Sequence, residues 1–113
     1  MIKVINGSRE FTEIETYLMT ISPAIMSMKD VPDHTIIEVD GCLTFLDCKD
    51  NGEETEVLSI ITPDNKVYSC QSATFKRTIN DISIIMHGGK FSVEKISGKT
   101  KSGRDFINCT LVI

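Results

Sequence analysis

The chain has 113 residues, 41% of them apolar and 25% charged, with a formal net charge of −4. That length predicts one domain, residues 1–113, with a core that needs no disulfide or metal staple. No apolar run approaches the roughly 18 residues of a membrane span, and Met1-Ile-Lys-Val-Ile-Asn-Gly7 is too short and too soon broken for a secretory signal, so the expectation is a cytoplasmic protein with no membrane partner.

The first helical signal begins near Ser8, a plausible N-cap. Phe11, Ile14, Leu18 and Ile21 follow at spacings of three and four. Pro23 ends that helix near Thr20. Ser22-Pro23 then opens a short second turn through about Met28, with Met26 and Met28 read as packing. Residues 1–32 are thus expected to be a helical segment on or beside the rest.

From His34 the period drops to two. Residues 35–47 read as one long strand, with Ile37, Val39, Leu43 and Phe45 on an apolar face and Glu38, Asp40 and Thr44 opposite. Gly41 at its middle predicts a bulge or sharp bend. Asp50-Asn51-Gly52 is a turn, residues 56–61 a second strand, Pro63-Asp64-Asn65 a turn, and residues 66–70 a third strand. A helix is predicted over residues 72–87, with Phe75, Ile79, Ile82 and Met86 on one face and Gly88-Gly89 as its stop. Residues 91–96 form a fourth strand, residues 98–103 a loop, and residues 104–113 the last strand. In that strand Ile107, Cys109, Leu111 and Ile113 share one face, and Arg104, Phe106, Asn108 and Thr110 the other.

This order makes the chain mainly β with helices. After the N-terminal helical segment, residues 33–113 have the order of an OB-like five-stranded barrel, with its helix between strands three and four. A long first strand bent at a glycine suits that arrangement, because it must serve both sides of the barrel. An α+β roll built from the same elements is the rival.

No catalytic motif is present, so the expectation is a binding protein and not an enzyme. Gly98-Lys99-Thr100 resembles the end of a P-loop, but Val93 stands where its earlier glycine is required, and no helix follows. Cys42, Cys48, Cys70 and Cys109 are separated by 5, 21 and 38 residues. They form no Cys-x-x-Cys pair, and His34 and His87 are not spaced to complete a zinc set. They are read as free thiols serving as small apolar side chains. The acidic stretch from Asp47 to Glu56 lacks the ordered ligand spacing of a calcium loop and reads as a solvated hairpin tip. No metal or cofactor is expected.

Charge is segregated along the chain. Residues 1–75 carry five Lys/Arg and thirteen Asp/Glu, whereas residues 76–113 carry seven and three. The C-terminal third is therefore locally positive, and a polyanion responds to the field within a Debye length of about 8–10 Å. Lys90, Lys95, Lys99, Lys101 and Arg104 are interleaved there with Phe91 and Phe106. Single-stranded nucleic acid calls for this combination, since cations neutralise phosphates and aromatic faces stack on unpaired bases. Phe106 is the most informative of them, because strand alternation puts it on the polar face. Tyr68 is a weaker stacking candidate, with core packing as its competing role. Phe45 is read as core.

The run Lys95-Ile-Ser-Gly-Lys-Thr-Lys-Ser-Gly-Arg-Asp-Phe-Ile-Asn-Cys109 resembles the C-terminal hairpin of small single-stranded DNA-binding proteins from phages of Gram-positive bacteria. Val57-Leu-Ser-Ile60, Val67-Tyr-Ser69 and the pair Ser72 and Phe75 are similar too, so the resemblance spans residues 35–113. It implies an OB-like protein of phage DNA replication that coats and protects single strands in the host cytoplasm without sequence preference. Lys99, Lys101, Arg104 and Phe106 would then contact DNA, whereas Lys95, Phe91 and Tyr68 are candidate contacts from the interleaving of cations and aromatics alone. The implied partners are single-stranded DNA and replication proteins; self-association is a separate expectation that rests on the amphipathic spacing of the N-terminal helices. Leu111-Val-Ile113 reads as strand, so recruitment of partners through a disordered acidic tail, as in cellular single-stranded DNA-binding proteins, is not expected. The alternative is a protein–protein module, such as a phage-encoded inhibitor that presents the acidic 38–56 region as a DNA-like surface.

Overall fold

The apolar strand residues sort into two cores, and that sorting organises the fold. A computed structural model describes residues 1–113. It is mainly β, with eight strands in two sheets and two α-helices. The strands are β1 (Ile2–Gly7), β2 (Met26–Ser27), β3 (Ile36–Val39), β4 (Gly41–Cys48), β5 (Glu54–Ile61), β6 (Val67–Cys70), β7 (Phe91–Lys99) and β8 (Asp105–Leu111). The helices are α1 (Glu13–Thr20) and α2 (Ala73–Ile85). One sheet has the order β1-β4-β5-β6-β2, the other β3-β7-β8. All pairings are antiparallel except β2 with β6. No helix is long and apolar enough to cross a membrane.

The larger core holds fourteen buried residues, among them Ile37, Val39, Leu58, Ile60, Phe75, Ile79, Phe91, Val93 and Cys109. The smaller gathers Met19, Leu43, Phe45, Val57, Ile61 and Val67, with Phe11 and Leu18 packed on it. Alternation along β5 feeds both: Leu58 and Ile60 enter the larger core, Val57 and Ile61 the smaller. The five-stranded sheet is therefore covered on both faces, which is why β4 is buried from Gly41 through Phe45.

The long predicted strand is two strands that meet at Asp40. Ile37 and Val39 face the larger core, but Leu43 and Phe45 face the smaller, so they do not share the single face expected of them. Cys42 takes over in the larger core. The parity flip falls at the bend that Gly41 foretells. A Cβ there would lie 2.7 Å from Phe11 Cε1, so the glycine also admits the Phe11 ring.

The N-terminal region departs most from expectation. It is not a helical segment, because β1 pairs with β4 along the sheet edge. The helix begins at Glu13, behind a Thr12 capping box, and not near Ser8. Its buried residue is Met19, while Ile14 and Ile21 face solvent. The predicted turn through Met28 is replaced by β2 and a 3-10 turn, Met28–Asp30. Met28 is buried, as a packing residue should be, but Met26 is exposed. Within α2, Phe75, Ile79 and Ile82 are buried as expected and Met86 is exposed. The five strands assigned from sequence do not close into a barrel, since no ladder joins β6 to β8. Cys42, Cys70 and Cys109 are free and buried. Burial, followed by the neighbouring Cys70, pushes the Cys109 thiol up to about 12, in keeping with an inert apolar role.

Arg9 ties the start of α1 to the bend. Its Nη2 donates to Glu15 Oε2 at 2.8 Å and to Asp40 Oδ2 at 3.0 Å. Glu15 also accepts from the Thr12 backbone N–H. The Arg9 hydrogen bond first, then that amide, lowers the Glu15 carboxyl from 4.5 to about 2. A depressed carboxylate stabilises the fold above its ordinary value, and the stabilisation drains away as pH falls from there through about 2. Urea midpoints should show Glu15→Gln less stable than wild type at neutral pH, with the gap closing between about pH 4.5 and 2. A gap that stayed constant over that window would assign the loss to something other than the charge.

Candidate functional site

Between the two sheets, where β6 and β8 fail to pair, lies a groove of about 940 Å³. One wall comes from Ser27 and Lys29 and from the stretch Ser69–Thr74, which leads from β6 into α2. The other is the β7–β8 hairpin, through Ser97–Lys99 and Arg104–Ile107. Three cations, Lys29, Lys99 and Arg104, stand in these walls against one carboxylate, Asp105. A chain of net charge −4 thus lines this groove with an excess of positive charge.

Local geometry explains why the hairpin presents its charges. Thr100 N–H donates to Arg104 O, Gly103 N–H donates to Thr100 O, and Arg104 N–H donates to Thr100 Oγ1. Gly103 supplies the left-handed residue at φ 84°. The tip is therefore an ordered turn, with Gly98 and Lys99 inside β7. Lys99 Nζ sits 3.1 Å from Asp105 Oδ1, but both side chains are more than two-thirds exposed. Such a pair is worth little and releases its cation readily. Lys101 and Arg104 are exposed and make no ion pair.

The hydrogen bonds that flank the hairpin fix which way β8 points its peptide groups. Thr100 N–H reaches Arg104 O, and Val112 N–H reaches Ser92 O. By antiparallel alternation, Gly98 with Phe106 and Ile96 with Asn108 are the hydrogen-bonded pairs. Asp105, Ile107 and Cys109 consequently aim their N–H and C=O groups away from β7. Ile107 O accepts from Ser72 Oγ at 3.4 Å, a side-chain bridge where a ladder would otherwise close the seam. The N-terminus of α2, capped by Ser72, ends at this seam with no acidic residue in its first turn.

Of the residues predicted as nucleic-acid contacts, Lys99, Arg104 and Phe106 come together in the groove, and Lys101 lies on the tip beside it. Phe106 is partly buried and forms part of the wall. Three others are elsewhere. Phe91 is a core residue, 8% exposed. Lys95 is 4% exposed, and its Nζ donates to Val31 O and Lys29 O, with Asp33 Oδ1 at 3.8 Å. Neither has a side chain available to a ligand. Tyr68 packs against the larger core and does not line the groove. Sequence reasoning missed Lys29 and the Ser69–Thr74 stretch. Only the N-cap signal of Ser72 could have drawn attention to them.

No protein-family model, curated protein or solved structure matches this chain.

Proposed function

We propose that this protein binds single-stranded DNA without sequence preference, in the groove between its two sheets. The observation that carries this reading is the convergence of Phe106 with Lys29, Lys99 and Arg104 in one groove of a protein that is otherwise acidic. The cations suit phosphates, and the ring suits one unpaired base. A duplex keeps the faces of its bases stacked, so the ring favours single strands. We read the strand order as OB-like and open at one seam. Strands β3 and β4 act as one bent strand that pairs with β7 and β5 in turn, β6 follows β5, and β8 follows β7. Protection of single strands during phage DNA replication is the setting that the resemblance of the hairpin suggests.

The test is fluorescence anisotropy of labelled oligo-dT, with a duplex of equal length as control. Binding should be confined to the single strand and weaken with salt. Three or four phosphate contacts predict a slope of about −2 to −3 in log K against log salt. Glutamate at Lys99, Lys101 and Arg104 together should weaken binding at least about a hundredfold and leave the thermal midpoint unchanged. Absence of single-strand binding at low salt would sink the proposal. The surface to pursue would then be the acidic β4–β5 hairpin, where Asp50, Glu53 and Glu54 are exposed, with a protein target.

A further inference from the structure

We infer that Gly98 is a positioning residue, one that seats the Phe106 ring as a flat platform for an unpaired nucleobase. This inference rests on the single-strand reading above and adds to it how the ring is held. Gly98 and Phe106 are directly opposed on β7 and β8, so their side-chain positions share one face of the hairpin. A Cβ on residue 98 would lie 2.9 Å from Phe106 Cζ, 3.2 Å from Cε1 and 3.6 Å from Cε2. The ring thus lies over the bare Cα of Gly98, in space that any other residue would fill. Both residues line the groove.

Backbone conformation gives no other reason for glycine here. The glycines with positive φ are Gly52, Gly88 and Gly103, and Gly98 is not among them. Alanine is therefore conformationally acceptable at position 98, within a regular strand. The three atoms nearest to its methyl all belong to the Phe106 side chain. The ring would move and the backbone would not. Glycine inside a strand usually marks a bulge or a close approach, and here the approach is that of an aromatic ring at the edge of a binding groove. Seating matters because stacking is lost when the ring tilts away from the plane a base can reach, and a ring held in advance loses no rotamer freedom on binding.

The experiment is a double-mutant cycle on oligo-dT affinity with Gly98→Ala, Phe106→Leu and the two combined. Phe106→Leu should weaken binding by about 5- to 150-fold, the value of one stacked base. Gly98→Ala should weaken it at least about threefold while the thermal midpoint holds. In the Phe106→Leu background, Gly98→Ala should have no further effect, since the ring it acts through is gone. Wild-type affinity for Gly98→Ala would overturn the inference, and so would an equal loss in both backgrounds. Should Gly98→Ala fail to fold, Phe106→Leu must restore folding in the same chain, because leucine lacks the ring atoms in the clash. A double variant that stays unfolded would overturn the assignment. If wild type itself fails to bind oligo-dT, it is the function proposed above that fails, and the cycle tells the two failures apart.

Discussion

Lys95→Met is expected to lower the unfolding free energy by about 3 kcal/mol, the loss of two charge-assisted hydrogen bonds, one to a buried and one to a partly buried carbonyl. Val31 O and Lys29 O both accept from Lys95 Nζ, across 64 and 66 residues of sequence. The bridge joins β7 of one sheet to the segment that follows β2, the edge strand of the other. It stands in for backbone pairing near the seam and holds the stretch that carries Lys29 into the groove. Methionine keeps the apolar stem and removes only the ammonium, so packing is a minor part of the loss. Thermal unfolding should show a midpoint lower by about 10 °C or more. Lys99→Met is the control. Its ion pair with Asp105 is exposed at both ends, and its midpoint should stay within about two degrees. Equal midpoints for the two variants would mean that the Lys95 tether contributes nothing to stability.

The contrast between these lysines shows what was legible in the sequence and what was not. Strand alternation already separates them. Phe91, Val93 and Lys95 share one parity of β7, and all three are buried. Composition alone grouped Lys95 with the surface cations of the hairpin, although its position pointed inward. The aromatic on the other strand shows the same rule applied well. Phe106 is opposite in parity to Ile107 and Cys109, and it does reach the groove. Some local signals held, whereas the helix starts read at Ser8 and Ser22-Pro23 did not. Ser72 caps α2, Asn51-Gly52 turns the β4–β5 hairpin, and the chain reverses at Gly88.

What sequence periodicity could not supply was long-range geometry. β1 is an edge strand with little burial of its own, and its partner β4 lies about forty residues away. Ile2-Lys3-Val4-Ile5 is rich in β-formers and is followed by Asn6-Gly7, but so short a run is absorbed into the helical reading of residues 1–32. Gly41 signals the bend near Asp40, but not that the two faces exchange there. A period-two reading assumes one face throughout, and a bend that exchanges faces leaves the residue types apolar on both sides of it. The groove is hidden most of all. Its walls combine Lys29, Ser72 and Arg104, brought together only by the failure of two strands to pair.

Gly88→Ala should be the most damaging single methyl in the chain, costing about 3–5 kcal/mol. Gly88 has φ 76°, where an L-residue is strained by about 1–2 kcal/mol. Its added Cβ would also lie 2.2 Å from the carbonyl oxygen of Ser8. Ser8 cannot retreat without loss. Its N–H donates to Cys42 O at 2.9 Å, and its Oγ accepts from Cys42 N–H at 3.0 Å. Those bonds fix the chain after β1 to the start of β4, next to the bend that divides the two cores. Gly88 N–H in turn donates to Ser83 O and ends α2 there. The methyl would have to push apart the helix terminus and the strand it abuts. Gly52→Ala isolates the contribution of that contact. Gly52 has φ 88°, with nothing within 4 Å of its would-be Cβ. It should cost about 1 kcal/mol, the conformational strain alone. The difference between the two variants in urea unfolding then measures the contact with Ser8. Similar losses at both positions would show that Ser8 yields easily and that the seam between β1 and α2 is soft.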